Sequence, residues 1–583
     1  MNMRFEIKDS EFLKDGEKIK IISGAVHYFR NVPDTWNDIF LKMKALGCNC
    51  VETYCAWNMH EKVPYKYDFT GILDVAEFIR TAQKHGLMVI VRPGPYICSE
   101  FEFGGLPWWL LSDEEIEIRC MNKKFIMHFE RYLKRLFEEI RPLLCSNGGP
   151  IIMLQCENEY GFYGDDKEYL QYLRDFFVKQ GMDVPLFTSD GPTEENLLDG
   201  TIEGCLSTMN FGSRVDENLA MYEKLFPNSP KMCMEMWNGW FDAWGDEKHH
   251  TTSTETYAQV VDDMLQRGSV NIYMFIGGTN FGFTSGALHN EKYAPTVTSY
   301  DYDALLTEWG DITPKYLEVR KVIQRYVDTE LPQIPENREK KAYGKIVLGE
   351  QLGFFEALPQ LATPVYSNVP KSMESYKTGY GYIAYQTKLK RDYMNAILEV
   401  EDIGDRAHVF VNEKQVDILY VNDRKNTHID AKAGDVLTIL CENMGRINFG
   451  VNMMRKKGII GRCFLNGKIH FHWDVFSLPM DNLAKLRFSN KQFSEKSGFY
   501  RGYLYVHDTP KDTFIKLDAF RKGFCVVNGF NLGRYWEKGP QKTLYVPASV
   551  LKEGQNEIVV FESDGVKDVP TIEFIDQPVL STE

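Results

Sequence analysis

Residues 1–320 alternate short apolar runs with longer amphipathic stretches. The short runs have the length of buried strands, whereas the longer ones repeat apolar residues at helical spacing. We predict eight strands, at Ile21–Phe29, Cys50–Tyr54, Met88–Arg92, Ile151–Gln155, Leu186–Ser189, Cys205–Thr208, Lys231–Met234 and Ile272–Ile276. Helices are predicted between them, for example at Trp36–Leu46, Ile72–Lys84, Lys124–Leu144, Glu168–Lys179 and Ser253–Arg267, with Gly47, Gly86 and Gly181 as C-terminal stops. Eight such repeats in about 300 residues fit a closed (β/α)8 TIM barrel better than an open sheet.

The pattern changes after Tyr326. The stretch Leu331–Lys341 is charged and contains proline, which is typical of a linker. From Ala342 onward, short Val, Ile, Tyr and Phe runs separated by Gly, Asn and Asp predict an all-β half. We therefore predict a barrel at 1–328, a linker at 329–345, and two jelly-roll-like all-β domains at 346–485 and 486–583.

The all-β half contains a weak internal repeat. Val409–Asn412, followed by Ala433–Leu440, parallels Cys525–Asn528, followed by Glu553–Phe561. Each unit pairs a short strand ending in Asn with a later strand that follows a Gly turn, as expected of two related sandwiches. Chance similarity between two β domains is the alternative.

Composition narrows the classes of partner. The chain has 583 residues and a formal charge of -15 at pH 7, which argues against nucleic acid or anionic membrane as a partner. It has no apolar run of 18 or more residues, and charges occupy its N-terminal start, so we expect a soluble, cytoplasmic protein.

The twelve cysteines form no CxxC pair and are expected to be reduced and buried. A cluster of Cys48, Cys50 and Cys55 without a nearby His is weak support for a metal site, and we predict no metal.

Polar and aromatic residues are dense directly after the predicted barrel strands, where the chemistry of such barrels is found. Glu157 and Glu159 follow the fourth strand and Glu235 follows the seventh. Carboxylates at these two ends face each other across the barrel mouth and suit glycoside hydrolysis, in which one protonates the leaving oxygen and the other attacks the anomeric carbon. Neighbouring Trp and Tyr rings offer apolar faces to a sugar. Glu157 and Glu159 remain rivals for the acid role on these grounds.

Six motifs in order give the chain a resemblance to a known family, glycoside hydrolase family 35, the β-galactosidases. They are Gly24–Arg30, Trp57–Glu61, Arg92–Glu100, Gly104–Leu111, Glu157–Gly161 and Ser299–Asp303. The resemblance covers the first 320 residues, and a barrel followed by two galactose-binding-like β domains also resembles that family. It implies release of terminal β-linked galactose with retention of configuration and without metal or organic cofactor.

Roles carried over from the resemblance make Glu159 the acid/base and Glu235 the nucleophile. Residues matching galactose-binding positions are Tyr54, Cys98, Ser99, Glu100, Asn158 and Tyr302, while Trp237 and Trp240 fall where aromatic rings wall the site. Two positions depart from the family: Ser99 stands where Ala is common, and Trp237 stands where some relatives have Tyr. Glu157 is then expected to be a charge partner, with Arg92 as its candidate partner.

Alternatives follow from the same reasoning. A barrel of this type could act on another sugar, such as a β-glucosaminide, because specificity resides in loop contacts. A carbohydrate-binding module with an inactive barrel would require one of the two carboxylates to be missing, and neither is. The chain resembles shorter, bacterial, intracellular members, which suggests a preference for β-1,3-linked galactose. The expected partners are β-galactoside oligosaccharides, and a homodimer is plausible.

Overall fold

The computed structural model describes residues 3–423, 425–489 and 497–580. A small antiparallel sheet of β1 (Phe5–Lys8), β2 (Glu11–Lys14) and β3 (Glu17–Lys18) precedes the barrel. Eight parallel strands then close the barrel in chain order: β4 (Ile22–Val26), β5 (Cys50–Tyr54), β6 (Met88–Arg92), β7 (Ile151–Gln155), β8 (Leu186–Asp190), β9 (Leu206–Asn210), β10 (Met232–Trp237) and β11 (Ser269–Ile276). The predicted TIM barrel is confirmed.

The connections carry the helices that cover the barrel. They are α1 (Trp36–Leu46), α2 (Trp57–His60), α3 (Val75–Lys84), α4 (Lys123–Ile140), α5 (Lys167–Lys179), α6 (Glu194–Gly200), α7 (Val215–Leu225), α8 (Thr254–Arg267) and α9 (Pro314–Ile323). The three glycines predicted to end helices, Gly47, Gly86 and Gly181, have φ of 105°, 69° and 73°. This left-handed conformation favours glycine, which explains why the helices end there.

Two predicted strands differ in length from those observed by three or more residues. The first ends at Val26 because Tyr28–Arg30 turns into a 3-10 helix, which directs Arg30 back toward the barrel mouth. The eighth begins earlier, at Ser269, because Val270 pairs with Ile22 of β4 and closes the barrel.

Beyond β11 the chain forms a hairpin and the all-β half. The strands up to residue 442 are β12 (Ala287–His289), β13 (Tyr293–Pro295), β14 (Gly344–Val347), β15 (Glu350–Gly353), β16 (Val365–Ser367), β17 (Tyr382–Lys388), β18 (Tyr393–Val400), β19 (Ile403–Gly404), β20 (Arg406–Val411), β21 (Lys414–Tyr420), β22 (Thr427–Ala431) and β23 (Val436–Glu442). The later strands are β24 (Gly458–Ile459), β25 (Cys463–Leu465), β26 (Lys468–Ile469), β27 (Trp473–Leu478), β28 (Gly498–Val506), β29 (Thr513–Lys516), β30 (Lys522–Val527), β31 (Phe530–Trp536), β32 (Thr543–Val546), β33 (Gly554–Glu562) and β34 (Thr571–Ile575). One helix, α10 (Phe354–Leu361), lies between β15 and β16.

Apart from the two-stranded sheets β12-β13 and β19-β24, these strands make two pairs of sheets. The six-stranded sheet β16-β27-β17-β23-β20-β21 shares an apolar core with the four-stranded sheet β22-β18-β25-β26. The five-stranded sheet β15-β28-β33-β30-β31 shares a second core with β14-β34-β29-β32. Residues 344–353 therefore pair with the C-terminal strands, although they precede the first all-β sheets in the chain.

The internal repeat predicted from the sequence has a structural counterpart. Asn412 directly follows β20 and Asn528 directly follows β30, each the second strand from an edge of its sheet, with φ of 47° and 50°. In each unit the Asn N–H donates to the backbone of the following paired strand, and that strand's N–H returns a bond to the Asn Oδ1, at Val436 and Glu557 respectively. The same side chain thus fixes the same turn twice.

All twelve cysteines are free thiols, and all but Cys120 and Cys205 are buried. The expectation of reduced cysteines packed as small apolar residues fits this placement. Within the described ranges, the helices are all too short or too polar to cross a lipid bilayer.

Candidate active site

The two carboxylates assigned to chemistry reach the barrel mouth from different strands. Glu159 follows β7 in a left-handed conformation with φ of 46°. Its N–H donates to the Ser189 carbonyl at 3.0 Å, and its Oε1 accepts from Asn210 Nδ2 at 2.9 Å. Burial and the nearby charge of Glu235 raise the pKa of Glu159 from 4.5 to about 8. At neutral pH Glu159 therefore carries the proton that a general acid needs.

Glu235 lies within β10 and is held by three donors. The Tyr54 hydroxyl donates to Oε1 at 2.7 Å, and Arg92 Nη2 lies 2.8 Å from the same oxygen. The Trp237 indole N–H donates to Oε2 at 3.1 Å. Of these three donors, Arg92 is a cation, and its side chain has no exposed surface. The two carboxylates thus differ in their partners, since Glu235 accepts from a cation and Glu159 accepts from the neutral Asn210 amide.

Asn158 connects the two sides of the site. Its Oδ1 accepts from Arg92 Nη2 at 2.6 Å and from Gln155 Nε2 at 3.1 Å, and lies 2.9 Å from the Tyr54 hydroxyl. These donors fix the orientation of the amide, since its oxygen must face them. Its Nδ2 faces the Ile97 carbonyl at 3.4 Å. The bond to Ile97 uses one of the two amide hydrogens, so a second hydrogen remains for another acceptor.

Three consecutive residues after β6 adopt left-handed backbone conformations. Cys98, Ser99 and Glu100 have φ of 54°, 58° and 45°. Arg30 holds this turn, with Nη1 donating to Ser99 Oγ at 2.7 Å and Nη2 to the Ser99 carbonyl at 2.5 Å. The Ser99 side chain therefore has a structural partner, so the departure from Ala at this position is accommodated.

The outer two residues of this turn have separate partners. Cys98 is buried, with Asn448 Nδ2 lying 3.6 Å from its sulfur. The Tyr300 hydroxyl donates to Glu100 Oε2. Burial raises the pKa of Glu100 to about 7, although Tyr300 and Arg30 act in the opposite direction. Tyr300 reaches Glu100 from a different loop, so the turn is tied to the far side of the mouth.

Aromatic rings line the side of the mouth near Glu235. The Trp240 ring lies 6.1 Å from the Trp237 ring and 6.4 Å from the Tyr302 ring, measured between centroids. Tyr302 packs edge-on to Tyr273 at 5.4 Å. Trp240 is 44% exposed, whereas Tyr302 is buried. Flat apolar surface is thus available beside the carboxylates, as sugar binding requires.

The expected pairing of Glu157 with Arg92 is wrong. Glu157 accepts from Arg119, at 3.0 Å from Nε and 2.8 Å from Nη2, and from the Tyr169 hydroxyl at 3.1 Å. Its left-handed φ of 61° directs the side chain away from the mouth, so that Arg92 is free to pair with Glu235. Glu157 is buried in an ion pair with Arg119, whereas Glu159 accepts from the neutral Asn210 amide.

Some residues of the site were missed by sequence reasoning. Asn210 is the last residue of β9, so the rule of inspecting strand ends would have found it. Arg30 lies in the first motif, but only the fold shows that it holds Ser99. Arg119 lies in a loop between the 3-10 helix Trp108–Ser112 and α4, where no pattern signalled it.

Comparison with known proteins gives consistent matches. Residues 11–326 match the model of glycosyl hydrolases family 35. Residues 370–479 match the first all-beta domain of beta-galactosidase, and residues 497–556 match its galactose-binding domain.

Curated relatives match along almost the whole chain. A beta-galactosidase of Mus musculus is 39% identical, covering 99% of this chain and 95% of that protein. The beta-galactosidase of Homo sapiens is 38% identical over 99% of this chain and 91% of its own length. The human beta-galactosidase-1-like protein 2 is also 38% identical, with 99% and 92% covered.

Proposed function

Because the chain belongs to glycosyl hydrolase family 35 and is a glycoside hydrolase of the β-galactosidase type, we propose that it releases terminal, non-reducing β-D-galactose with retention of configuration. The observation that carries the mechanism is the contrast between its two carboxylates. Glu159 has a pKa raised to about 8, whereas Glu235 accepts from Arg92 and Tyr54. Glu159 thereby keeps a proton at neutral pH while Glu235 faces a cation in the same mouth, which is the contrast that a double displacement needs.

The first step forms a covalent intermediate. A carboxylate oxygen of Glu235 attacks the anomeric carbon, and the bond from that carbon to the leaving oxygen breaks. Glu159 gives its proton to the leaving oxygen, so the aglycone departs as a neutral alcohol. Arg92 and Tyr54 hold Glu235 Oε1, and the Trp237 indole holds Oε2. These contacts fix the nucleophile before the substrate arrives, so little reorganisation is needed during reaction.

The second step releases the sugar. Glu159, now a carboxylate, takes a proton from water as that water attacks the anomeric carbon. The ester bond to Glu235 breaks, and galactose leaves with its original β configuration after two inversions. Glu159 ends protonated, which restores the starting state.

The remaining predicted site residues are proposed to bind the galactose unit. Asn158 offers its amide nitrogen because its oxygen is already committed to Arg92 and Gln155. Glu100, Cys98 and the backbone of the left-handed turn supply further polar groups. The proposed sugar-binding set is Tyr54, Cys98, Ser99, Glu100, Asn158, Trp237, Trp240 and Tyr302. The Trp240 ring is 44% exposed, and an exposed indole suits the C–H face of a sugar ring.

The decisive experiment measures galactose release from β-1,3-, β-1,4- and β-1,6-linked galactosyl disaccharides, with Glu235→Gln as the blank. We propose that the β-1,3 linkage is preferred, as the resemblance to shorter family members suggests. Proton NMR of the first turnovers reports the anomer, and β-galactose as the initial product supports retention. Release of α-galactose would overturn the double displacement, and absence of release by a folded wild type would overturn the proposed substrate.

A further inference from the structure

Two loops carry the aromatic wall of the site. One follows β10 and contains Trp240 and Phe241, whose rings stack at 5.1 Å between centroids. The other is the segment 299–308, which contains Tyr302 in a left-handed conformation with φ of 62°. The contact between Trp240 and Tyr302 therefore depends on how these loops are held against each other.

His249, on the loop after β10, connects that loop to Asp301 of the segment 299–308, and Thr252 of the same loop bonds to Asp303. His249 Nδ1 lies 2.7 Å from Asp242 Oδ2, and His249 Nε2 lies 3.2 Å from Asp301 Oδ1. Asp242 directly follows Phe241, and Asp301 directly precedes Tyr302. Carboxylates accept only, so both ring nitrogens must donate and the ring is an imidazolium. The two ion pairs raise the pKa of His249 to about 10, and the pKa of Asp242 is lowered by its histidine partners.

Both carboxylates are fixed on their own loops as well. Asp301 Oδ2 accepts from the Glu308 N–H at 3.0 Å, and Asp242 Oδ1 accepts from the His250 N–H at 2.9 Å. The Asp242 carbonyl also accepts from the Val297 N–H at 3.0 Å. Since each end of the bridge is anchored, displacement of His249 moves the loops rather than only the aspartate side chains.

We propose that His249 is a positioning residue for the β-galactosidase reaction, clamping the loop of Trp240 to the loop of Tyr302. It does not touch the reacting atoms. It sets the separation of the two rings, and through them the position of the sugar beside Glu235. This inference rests on the proposed function, because it takes Trp240 and Tyr302 as walls of the galactose site.

The adjacent histidine provides a matched control. His250 Nδ1 binds Asp242 Oδ1 at 2.8 Å and lies 3.9 Å from Asp246, so it contacts one loop of the pair. A substitution at His250 removes a partner of the same carboxylate and leaves the bridge to Asp301 in place. Any effect that comes merely from disturbing Asp242 should therefore appear in both variants.

The kinetic test compares His249→Phe with His250→Phe on an aryl β-galactoside. We expect kcat/KM of His249→Phe to fall roughly 10- to 100-fold, mainly through a higher KM, because a site out of register by about 1 Å loses that much. His250→Phe should stay within about threefold of the wild type, since the bridge is retained. Equal losses in both variants, or no loss in His249→Phe, would overturn the clamp.

A fluorescence test measures the solvent exposure of Trp240 and does not depend on catalytic turnover. Trp240 is exposed, whereas the other tryptophans of the described ranges are buried or half-buried, so iodide quenching reports mainly on Trp240. We expect the quenching constant to rise in His249→Phe and not in His250→Phe, with Trp240→Phe as the blank. Unchanged quenching in His249→Phe would contradict the clamp.

A third variant keeps the proposal testable if His249→Phe does not fold. If His249→Phe does not fold, Asp301→Asn replaces one ion pair by a weaker bond and should show the same rise in KM and in quenching. Absence of both changes would overturn the proposal. If the wild type releases no galactose, the proposed function fails, while the quenching comparison still decides whether His249 holds the loops.

Discussion

Arg92 places its Nη2 atom 2.8 Å from Glu235 Oε1 while its guanidinium lies over the Tyr54 ring at 4.0 Å. Arg92 has no exposed surface, so water does not screen this pair. The same nitrogen lies 2.6 Å from Asn158 Oδ1. One cation thus positions the candidate nucleophile and a candidate sugar-binding amide together.

Replacing Arg92 by Lys should lower kcat/KM of the folded enzyme by roughly 10- to 100-fold, because hydrogen bonds to charged groups contribute about 1.5 to 3 kcal/mol. Arg92 also donates from Nε to Gln155 Oε1. Lys keeps the charge but cannot reach Glu235, Asn158 and Gln155 in one planar arrangement. Steady-state kinetics on an aryl β-galactoside measure the loss. Arg119→Lys is the control, because it alters another buried Arg–Glu pair that does not touch Glu235. Similar losses of kcat/KM in both variants would show a general effect of packing.

Replacing Glu159 by Gln should lower kcat/KM roughly 10² to 10⁴-fold for galactosides with poor leaving groups, the usual contribution of general acid catalysis. Activated aryl galactosides should lose less, because their leaving groups depart without protonation. The measurement is a series of aryl galactosides of graded leaving-group pKa. Glu157→Gln serves as the matched control, because Glu157 pairs with Arg119 and faces away from the mouth. A loss independent of leaving group would contradict the acid role of Glu159.

The pH profile should show an alkaline limb set by Glu159. With its pKa raised to about 8, Glu159 loses its proton as pH rises through that value, and a deprotonated acid does not assist the leaving group. We expect kcat/KM for a poor leaving group to fall above about pH 8. In Glu159→Gln that limb should disappear with an activated substrate. An unchanged alkaline limb in the variant would assign it to another group.

The raised pKa of Glu159 should also make the free energy of unfolding fall as pH rises. Its pKa is about 8 in the folded chain against 4.5 for an ordinary glutamate, so the folded state binds the proton more tightly. Stability contributed by that proton is present below pH 4.5 and is lost as pH rises through about 8. The Tm of Glu159→Gln minus that of the wild type should therefore be near zero at pH 4.5 and positive at pH 8 and above. Thermal unfolding at both pH values checks this, and a constant difference would contradict the raised pKa.

The sequence by itself determined the barrel, its strands and the region of the site. Apolar runs of strand length alternating with amphipathic helices leave few ways to bury both faces of a parallel sheet, so the TIM barrel followed from pattern. The rule that chemistry lies at the carboxyl ends of barrel strands then placed Glu159 and Glu235 in the mouth. Glycines such as Gly47 marked helix ends because their φ suits no other residue as well.

Only the tertiary structure decided which charges pair and which loops are joined. Glu157 and Glu159 are two residues apart, yet each has a positive φ, and the alternation of an ordinary strand does not apply to them. Arg119 reaches Glu157 from a distant loop, and Arg92 turns to Glu235 instead. His249 bonds to Asp242 on its own loop and to Asp301, which lies 52 residues further along the chain. The partner of a buried charged residue depends on which groups lie near it in the folded chain and on the free-energy cost of burying an unpaired charge. The local pattern of apolar and polar residues in the sequence shows neither.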